Sequence, residues 1–181
     1  MAVLAQRWIF DQRSVWERMT GAAALDPVTF EEIERDPKAT GEAVAVVVIV
    51  AICSAIGSFW HGALAIAAAP ISAIVTWLVW TAITYVIGDK LLGSTATWPE
   101  LLRTIGFAQS PGVFMILGII PILGGLMRTI VAIWMVVAGV IAIRTALRFS
   151  TTKAVITALL CWGTLMGLAY ITRGGGWFQV S

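Results

Sequence analysis

Few side chains in this sequence have the types and spacing that chemistry needs. The densest carboxylates are Glu31, Glu32, Glu34 and Asp36. Paired acids in a pocket suit general acid–base work, but no pocket is evident around these, and they read as the solvated face of a short helix. His61 is the single histidine and follows Trp60. One imidazole can ligate a haem iron or a chlorophyll magnesium, but that needs a pocket and usually a second partner. Beside a span end it reads as an interfacial residue. Cys53 and Cys161 both sit in apolar runs and read as buried, inert thiols. The chain has no metal-ligand spacing, no Gly-rich phosphate loop and no HExxH motif. Neither a Ser/His/Asp nor a Cys/His set assembles around one outer-surface histidine. No catalytic, cofactor or metal residues are therefore expected, and the chain is not expected to be an enzyme.

Two further patterns concern helix geometry. Gly106-Phe107-Ala108-Gln109-Ser110-Pro111 lies inside an apolar run. Proline frees the carbonyl four residues back and pushes the helix to kink. Gln109 or Ser110 can satisfy that carbonyl or bond a neighbouring helix. A broken helix at mid-membrane can mark a binding site, but more often it is a packing kink. Gly163-Thr164-Leu165-Met166-Gly167 is a GxxxG step, and Ser54/Ser58 and Cys53/Gly57 are small pairs at the same spacing. Such steps let helices approach closely, and packing within the chain is favoured here over self-association.

The elements that would position these residues follow from composition. The chain has 181 residues, of which 59% are hydrophobic and 12% charged, with mean hydropathy +0.91. Soluble domains run near 45–50% apolar and about 25% charged. This composition excludes a soluble globular protein, a disordered chain and a nucleic-acid binder. The expected class is an all-α, polytopic membrane protein with membrane lipids as its partners, and other membrane proteins or further copies of itself as candidate partners. No cleavable signal is expected, because the first apolar run begins near Ala43, behind eight acids.

Residues 1–24 read as an amphipathic helix. At ~100° per residue, Leu4, Trp8, Val15, Met19 and Ala22 share a narrow sector with Trp16 beside it, and Arg7, Arg13, Glu17 and Arg18 take the other side. The working expectation is a helix lying at the membrane interface through Leu4, Trp8, Val15, Trp16 and Met19. The alternative is a helix packed on the rest of the chain through the same stripe. Residues 25–42 read as a short acidic cytoplasmic helix and linker. Asp26-Pro27 offers an N-cap and a first-turn proline, giving a helix over about 27–35, and Asp36-Pro37 repeats the device for a helix beginning at Pro37.

Residues 43–171 read as five spans: Ala43–Phe59, Ile71–Ile87 (extendable back toward Ala63 through Pro70), Leu101–Ile120, Met127–Ile143 and Val155–Ile171. At about 1.5 Å per residue each covers ~25–30 Å, enough for a hydrocarbon core of about 30 Å. Thr97-Trp98-Pro99-Glu100 forms a capping box for the third span. Residues 172–181 read as a short outer tail. With the N-terminus inside and the C-terminus outside, Arg7, Arg13, Arg18, Arg35, Lys38, Lys90, Arg103, Arg144, Arg148 and Lys153 are cytoplasmic. Only Arg128 and Arg173 lie outside, a strong positive-inside bias.

The whole pattern resembles the Yip1 family of small membrane proteins. The resemblance rests on Leu25-Asp26-Pro27, Thr29-Phe30-Glu31-Glu32-Ile33 and Asp36-Pro37-Lys38-Ala39, then five short spans, with Gly106-Phe107 and Pro111 in the third. Ile133-Trp134 and Ala142-Ile143-Arg144 in the fourth and Ser150 with Lys153-Ala154 before the fifth complete it. It covers about residues 24–171, in the style of the bacterial branch. It implies an all-helical protein with a cytoplasmic N-terminus and a short outer C-terminus, placed in a bacterial cytoplasmic membrane. Eukaryotic members are associated with Rab GTPases and vesicle traffic. The Asp-Leu-aromatic-Gly-Pro type of motif is reduced here to Asp26-Pro27, so GTPase binding is not carried over. The expected function is non-enzymatic organisation of lipid or partner proteins. The alternatives are an accessory subunit of a respiratory or photosynthetic complex, and a minimal transporter or channel using the broken third span.

Overall fold

The computed structural model describes residues 13–88, 92–94 and 96–172, with side chains except at positions 61, 65, 69, 121, 122 and beyond 164. Every regular element among them is helical. They are α1 (Val15–Ala23), α2 (Pro27–Arg35), α3 (Ala39–Gly57), a 3₁₀ turn at Phe59–His61 and α4 (Ala63–Val86). Then come α5 (Trp98–Phe107), a 3₁₀ run over Ser110–Ile119, α6 (Pro121–Leu147) and α7 (Thr151–Thr172).

Local sequence explains the boundaries. A single helix over residues 1–24 is not what forms, because the chain is non-helical at Arg13 and Ser14. Ser14 and Glu17 make a capping box: the Ser14 N–H donates to Glu17 Oε2 at 2.7 Å, and the Glu17 N–H to Ser14 Oγ at 3.3 Å. That reciprocal bonding starts a helix afresh at Val15. Leu4 and Trp8 lie outside the described residues. Asp26 caps α2, accepting from the N–H groups of Val28 and Thr29 and from Thr29 Oγ1 at 2.7 Å. Asp36 accepts the Lys38 N–H at 3.0 Å, and that turn delays α3 to Ala39 instead of Pro37. The Glu100 carboxylate accepts the Thr97 N–H at 2.7 Å, as the capping box at α5 requires.

Four helical stretches are long and apolar enough to cross a membrane: Ala39–Gly57, Ile66–Val86, Trp98–Ile119 and Leu123–Leu147. Pro70 sits inside α4 without ending it. The fifth expected span, Val155–Ile171, falls within α7, whose side chains beyond residue 164 are outside the description. The chain alternates between two ends. The head end gathers α1, α2 and the starts of α3 and α5, and Gly88 meets Leu147 there. At the far end the Trp60 indole N–H donates to the Ile119 carbonyl at 2.7 Å, and Arg128 Nη2 to the Gly57 carbonyl at 3.0 Å.

The core runs along α3 through Ala43, Val46, Val47 and Val50. It meets Leu101, Ile105 and Phe107 of α5 and Ala138, Ala142 and Ile143 of α6, and Met19, Phe30 and Ile33 close it from α1 and α2. The outer surface is equally apolar: Leu64 is 84% exposed, Ile71 68% and Ile133 61%. Helices apolar on every side need a hydrocarbon solvent.

Candidate functional site

Two arrangements stand out: an ion-paired cap at the head end and the broken third span beneath it. In the cap, the Arg18 guanidinium is buried and reaches three acids. Its Nε lies 3.1 Å from Glu32 Oε1, Nη2 2.7 Å from Asp36 Oδ2 and Nη1 2.7 Å from Glu42 Oε2. A planar fork with five donors suits this bridging, which a single ammonium would not match. One side chain of α1 thereby holds α2, the Asp36 turn and the first turn of α3. Arg13 Nη1 lies 3.4 Å from Glu32 Oε2 and donates to Thr29 Oγ1 at 3.3 Å. The Arg13 contact is an ion pair without hydrogen-bond geometry, and Glu32 Oε2 makes no hydrogen bond among the described residues.

A second set holds α2 to α5 and α6. Arg103 donates through both Nε (2.9 Å) and Nη2 to the Glu34 backbone carbonyl. Arg148 Nη2 donates to Glu34 Oε1 at 3.4 Å. The Trp134 indole N–H of α6 donates to the Ala23 carbonyl at 2.8 Å, closing the C-terminal end of α1. A cavity of about 340 Å³ lies between α2 and the end of α6, lined by Glu31, Glu34, Arg35, Arg144 and Arg148 among others.

The solvated-face expectation therefore fails for two of its acids. Glu32 and Glu34 are buried, while Glu31 and Arg35 stay exposed as a pair at 3.3 Å. Three arginines from distant elements make that burial tolerable. Burial raises the Glu32 carboxyl above its ordinary range, against the pull of Arg18. It raises Glu34 likewise, against Arg148. Burial lowers Arg18, but hydrogen bonds to Asp36 and Glu42 outweigh it and leave that guanidinium raised. The Thr29 hydroxyl holds Asp26 below its ordinary value.

Of the expected interfacial residues, Met19 is buried and Val15 half-buried, packed against the core. Trp16 is 64% exposed. The stripe thus divides, with Met19 and Ala22 turned into the protein and Trp16 turned out.

The third span changes helix type at its proline. The Ser110 hydroxyl donates to the Phe107 carbonyl at 2.6 Å, which is the acceptor that Pro111 leaves without an N–H. Beyond it the backbone winds as a ten-residue 3₁₀ run, long for a form seldom held beyond three or four residues. Phe107 is fully buried, and Gly106 lies against α3, where an added Cβ would stand 2.8 Å from Ala43 Cβ. Two glycines that the helix-break pattern did not single out continue this seam. At Gly112 a Cβ would stand 2.5 Å from Val50 Cγ1, and at Gly118 one would stand 2.8 Å from the Gly57 carbonyl oxygen. Gly106, at the end of α5, is followed at six-residue steps by Gly112 and Gly118, and the step from 112 to 118 is two turns of a three-residue helix. Their partners Ala43, Val50 and Gly57 recur every seventh, near two turns of α-helix. Gly163 faces open space, so the close internal approach expected of the GxxxG step is not made there. The surroundings of Gly167, like the side chain of His61, lie outside the description.

Gln109 is half-buried at the lip of a second cavity of about 290 Å³. Trp80, Ile105, Met115, Ala132, Gly139 and Trp162 help line it. The Trp80 indole N–H is buried there and has no hydrogen-bond partner among the described residues. Among those residues no three His, Cys, Asp or Glu side chains gather to hold a metal.

No curated protein and no solved structure matches the chain. The family model of the Yip1 domain matches residues 23–172, from the end of α1 to the end of α7. The apolar helices, the Asp26-capped α2 and the Pro111 break all fall within that match, and the chain belongs to the Yip1 domain family of membrane proteins.

Proposed function

We propose that this chain is a non-enzymatic membrane protein whose ion-paired cap is a platform for lipid or partner proteins. In this reading α7 is a fifth span, the cap is cytoplasmic and the C-terminus lies outside. Most basic residues in the positive-inside count that fall within the described chain cluster at the head end, with Arg128 at the other, which supports that orientation. The observation that carries the platform reading is the division of α1. Arg18 and Met19 lock it to the bundle, while Trp16, and Val28 of α2 at 52% exposed, are presented outward. An aromatic ring displayed beside arginines suits headgroup depth or a partner's surface. The seam of Gly106, Gly112 and Gly118 against α3 favours packing over a flux path through the broken span.

The test is a photoreactive side chain placed at residue 16 or 28 of the full-length protein in native membranes. Adducts with phospholipid or a recurring protein are expected. An absence of adducts at both positions, with adducts at a lipid-facing control such as residue 71, would count against the platform. A thiol tag at the C-terminus that labels only from the cytoplasm would reverse the orientation.

A further inference from the structure

We infer that the cavity beside the broken third span holds the acyl chain of a membrane glycerolipid, with an ester carbonyl hydrogen-bonded to Trp80. The inference rests on the membrane reading above and assigns a lipid site of its own, separate from the cap. Three observations converge on it.

The first is an unmet donor. The Trp80 Nε1–H is buried with no partner, and the Gln109 carboxamide at the same cavity makes no side-chain hydrogen bond among the described residues. Hydrocarbon offers no water to satisfy such groups, so an acceptor is wanted.

The second is depth. Measured from the far end, where Gly57, Trp60 and Ile119 meet, Glu42 stands ~22 Å up α3, Trp80 ~25 Å up α4 and Gln109 ~20 Å up the 3₁₀ run, at rises of about 1.5 and 2.0 Å per residue. Trp80 is thus level with Glu42, an acid near the start of α3 that marks the edge of the apolar layer, and Gln109 lies deeper, between the Gly106–Ala43 and Gly112–Val50 contacts. Glycerolipid ester carbonyls lie at that edge, between headgroups and hydrocarbon.

The third is polarity along the cavity. By their positions along the helices Trp80 sits at its shallow end, Gln109 and Trp162 lie deeper, and Met115 and Ala132 line it toward the bilayer centre. A carbonyl followed by an alkyl chain has the same order.

The test offers the full-length protein equimolar diacyl and dialkyl-ether phosphatidylcholines of equal chain length, and native mass spectrometry counts the lipids retained. The ether lipid keeps headgroup and tails and lacks only the carbonyls. One net hydrogen bond corresponds to about three- to tenfold preference for the ester lipid. Trp80→Phe keeps a ring and removes the N–H, and it should bring the preference to unity. Gln109→Leu, on another element, should weaken it in the same direction, and Ala132→Phe should lower retention of both lipids. Equal retention by the unaltered chain, or an undiminished preference in Trp80→Phe, overturns the inference. So does a retained lipophile that carries no ester. Adducts at residue 16 or 28 report on the platform separately, so either reading can fail while the other stands.

Discussion

The head end of this bundle and the seam along its third span are held by opposite means. At the head end, long charged side chains reach between the helices. Arg18 spans three acids, and Arg103 and Arg148 converge on Glu34. Toward the far end, the third span and α3 are joined by the absence of side chains, with Gly118 against Gly57 and Gly112 under Val50. The contrast follows the solvent. Where water and headgroups are near, charges can be recruited and pairing offsets their desolvation. Deeper, a charge is expensive, and close backbone packing is the available adhesive.

The largest effect that would break this contrast is Arg18→Ala. It leaves Glu32 buried without its main partner, which typically costs about 3–5 kcal/mol. Unfolding in detergent should show that loss. Arg18→Lys should recover only part of it, since one ammonium cannot serve three acids. A loss under about 1 kcal/mol would mean the cap is not held by charge.

Next is Gly112→Ala, where a methyl meets Val50 and overpacking typically costs about 1–3 kcal/mol. Gly163→Ala, facing open space, serves as the matched control and should be neutral or slightly stabilising. Equal effects at both positions would dissolve the seam. Ser110→Ala should cost about 1 kcal/mol by leaving the Phe107 carbonyl without its donor, and an unchanged unfolding midpoint would show that acceptor satisfied elsewhere.

Acidity sharpens the contrast further, because it touches only the head end. Glu32 and Glu34 are raised by burial. A carboxyl that holds its proton more readily folded than unfolded adds stability below the ordinary glutamate range, and that stability is lost as pH rises through the raised value. Asp26, depressed by Thr29, does the reverse: its stability is present above the ordinary aspartate range and lost as pH falls through the depressed value. Acidifying from neutral pH toward the ordinary glutamate range should therefore add stability through Glu32 and Glu34 before Asp26 weakens the cap. The gain should disappear in the Glu32→Gln, Glu34→Gln double variant. A gain of the same size in that variant would assign it to other groups. The smallest effect is Arg35→Ala, which removes an exposed i,i+4 pair with Glu31 and should cost at most about 0.5 kcal/mol.

What could be read from sequence was what depends on neighbours. Asp26-Pro27 placed the start of α2, Thr97 and Glu100 the start of α5, and Gln109 or Ser110 stood as donors to the carbonyl freed by Pro111, of which Ser110 serves. Ser14 and Glu17 carried the same kind of signal, but a continuous apolar stripe across them hid the break. What could not be read depends on distant partners. Glu32 looks like any solvated glutamate until Arg18 arrives, and Glu34 until Arg103 and Arg148 do. The glycine seam was hidden for another reason. A spacing of six is not an α-helical face, and Gly112 and Gly118 share one only once the backbone has wound to three residues per turn. The cavity at Trp80 needs four helices to exist.

That winding has a consequence in length. Ten residues as a 3₁₀ helix rise ~20 Å, and as an α-helix ~15 Å. Ser110–Ile119 therefore gives the third span about 5 Å of extra reach with no added residue, close to the difference between thin and thick cellular bilayers. The bilayer thickness this protein fits is set in part by a hydrogen-bond register, and the glycines at 112 and 118 allow that register to lie flat against its neighbour.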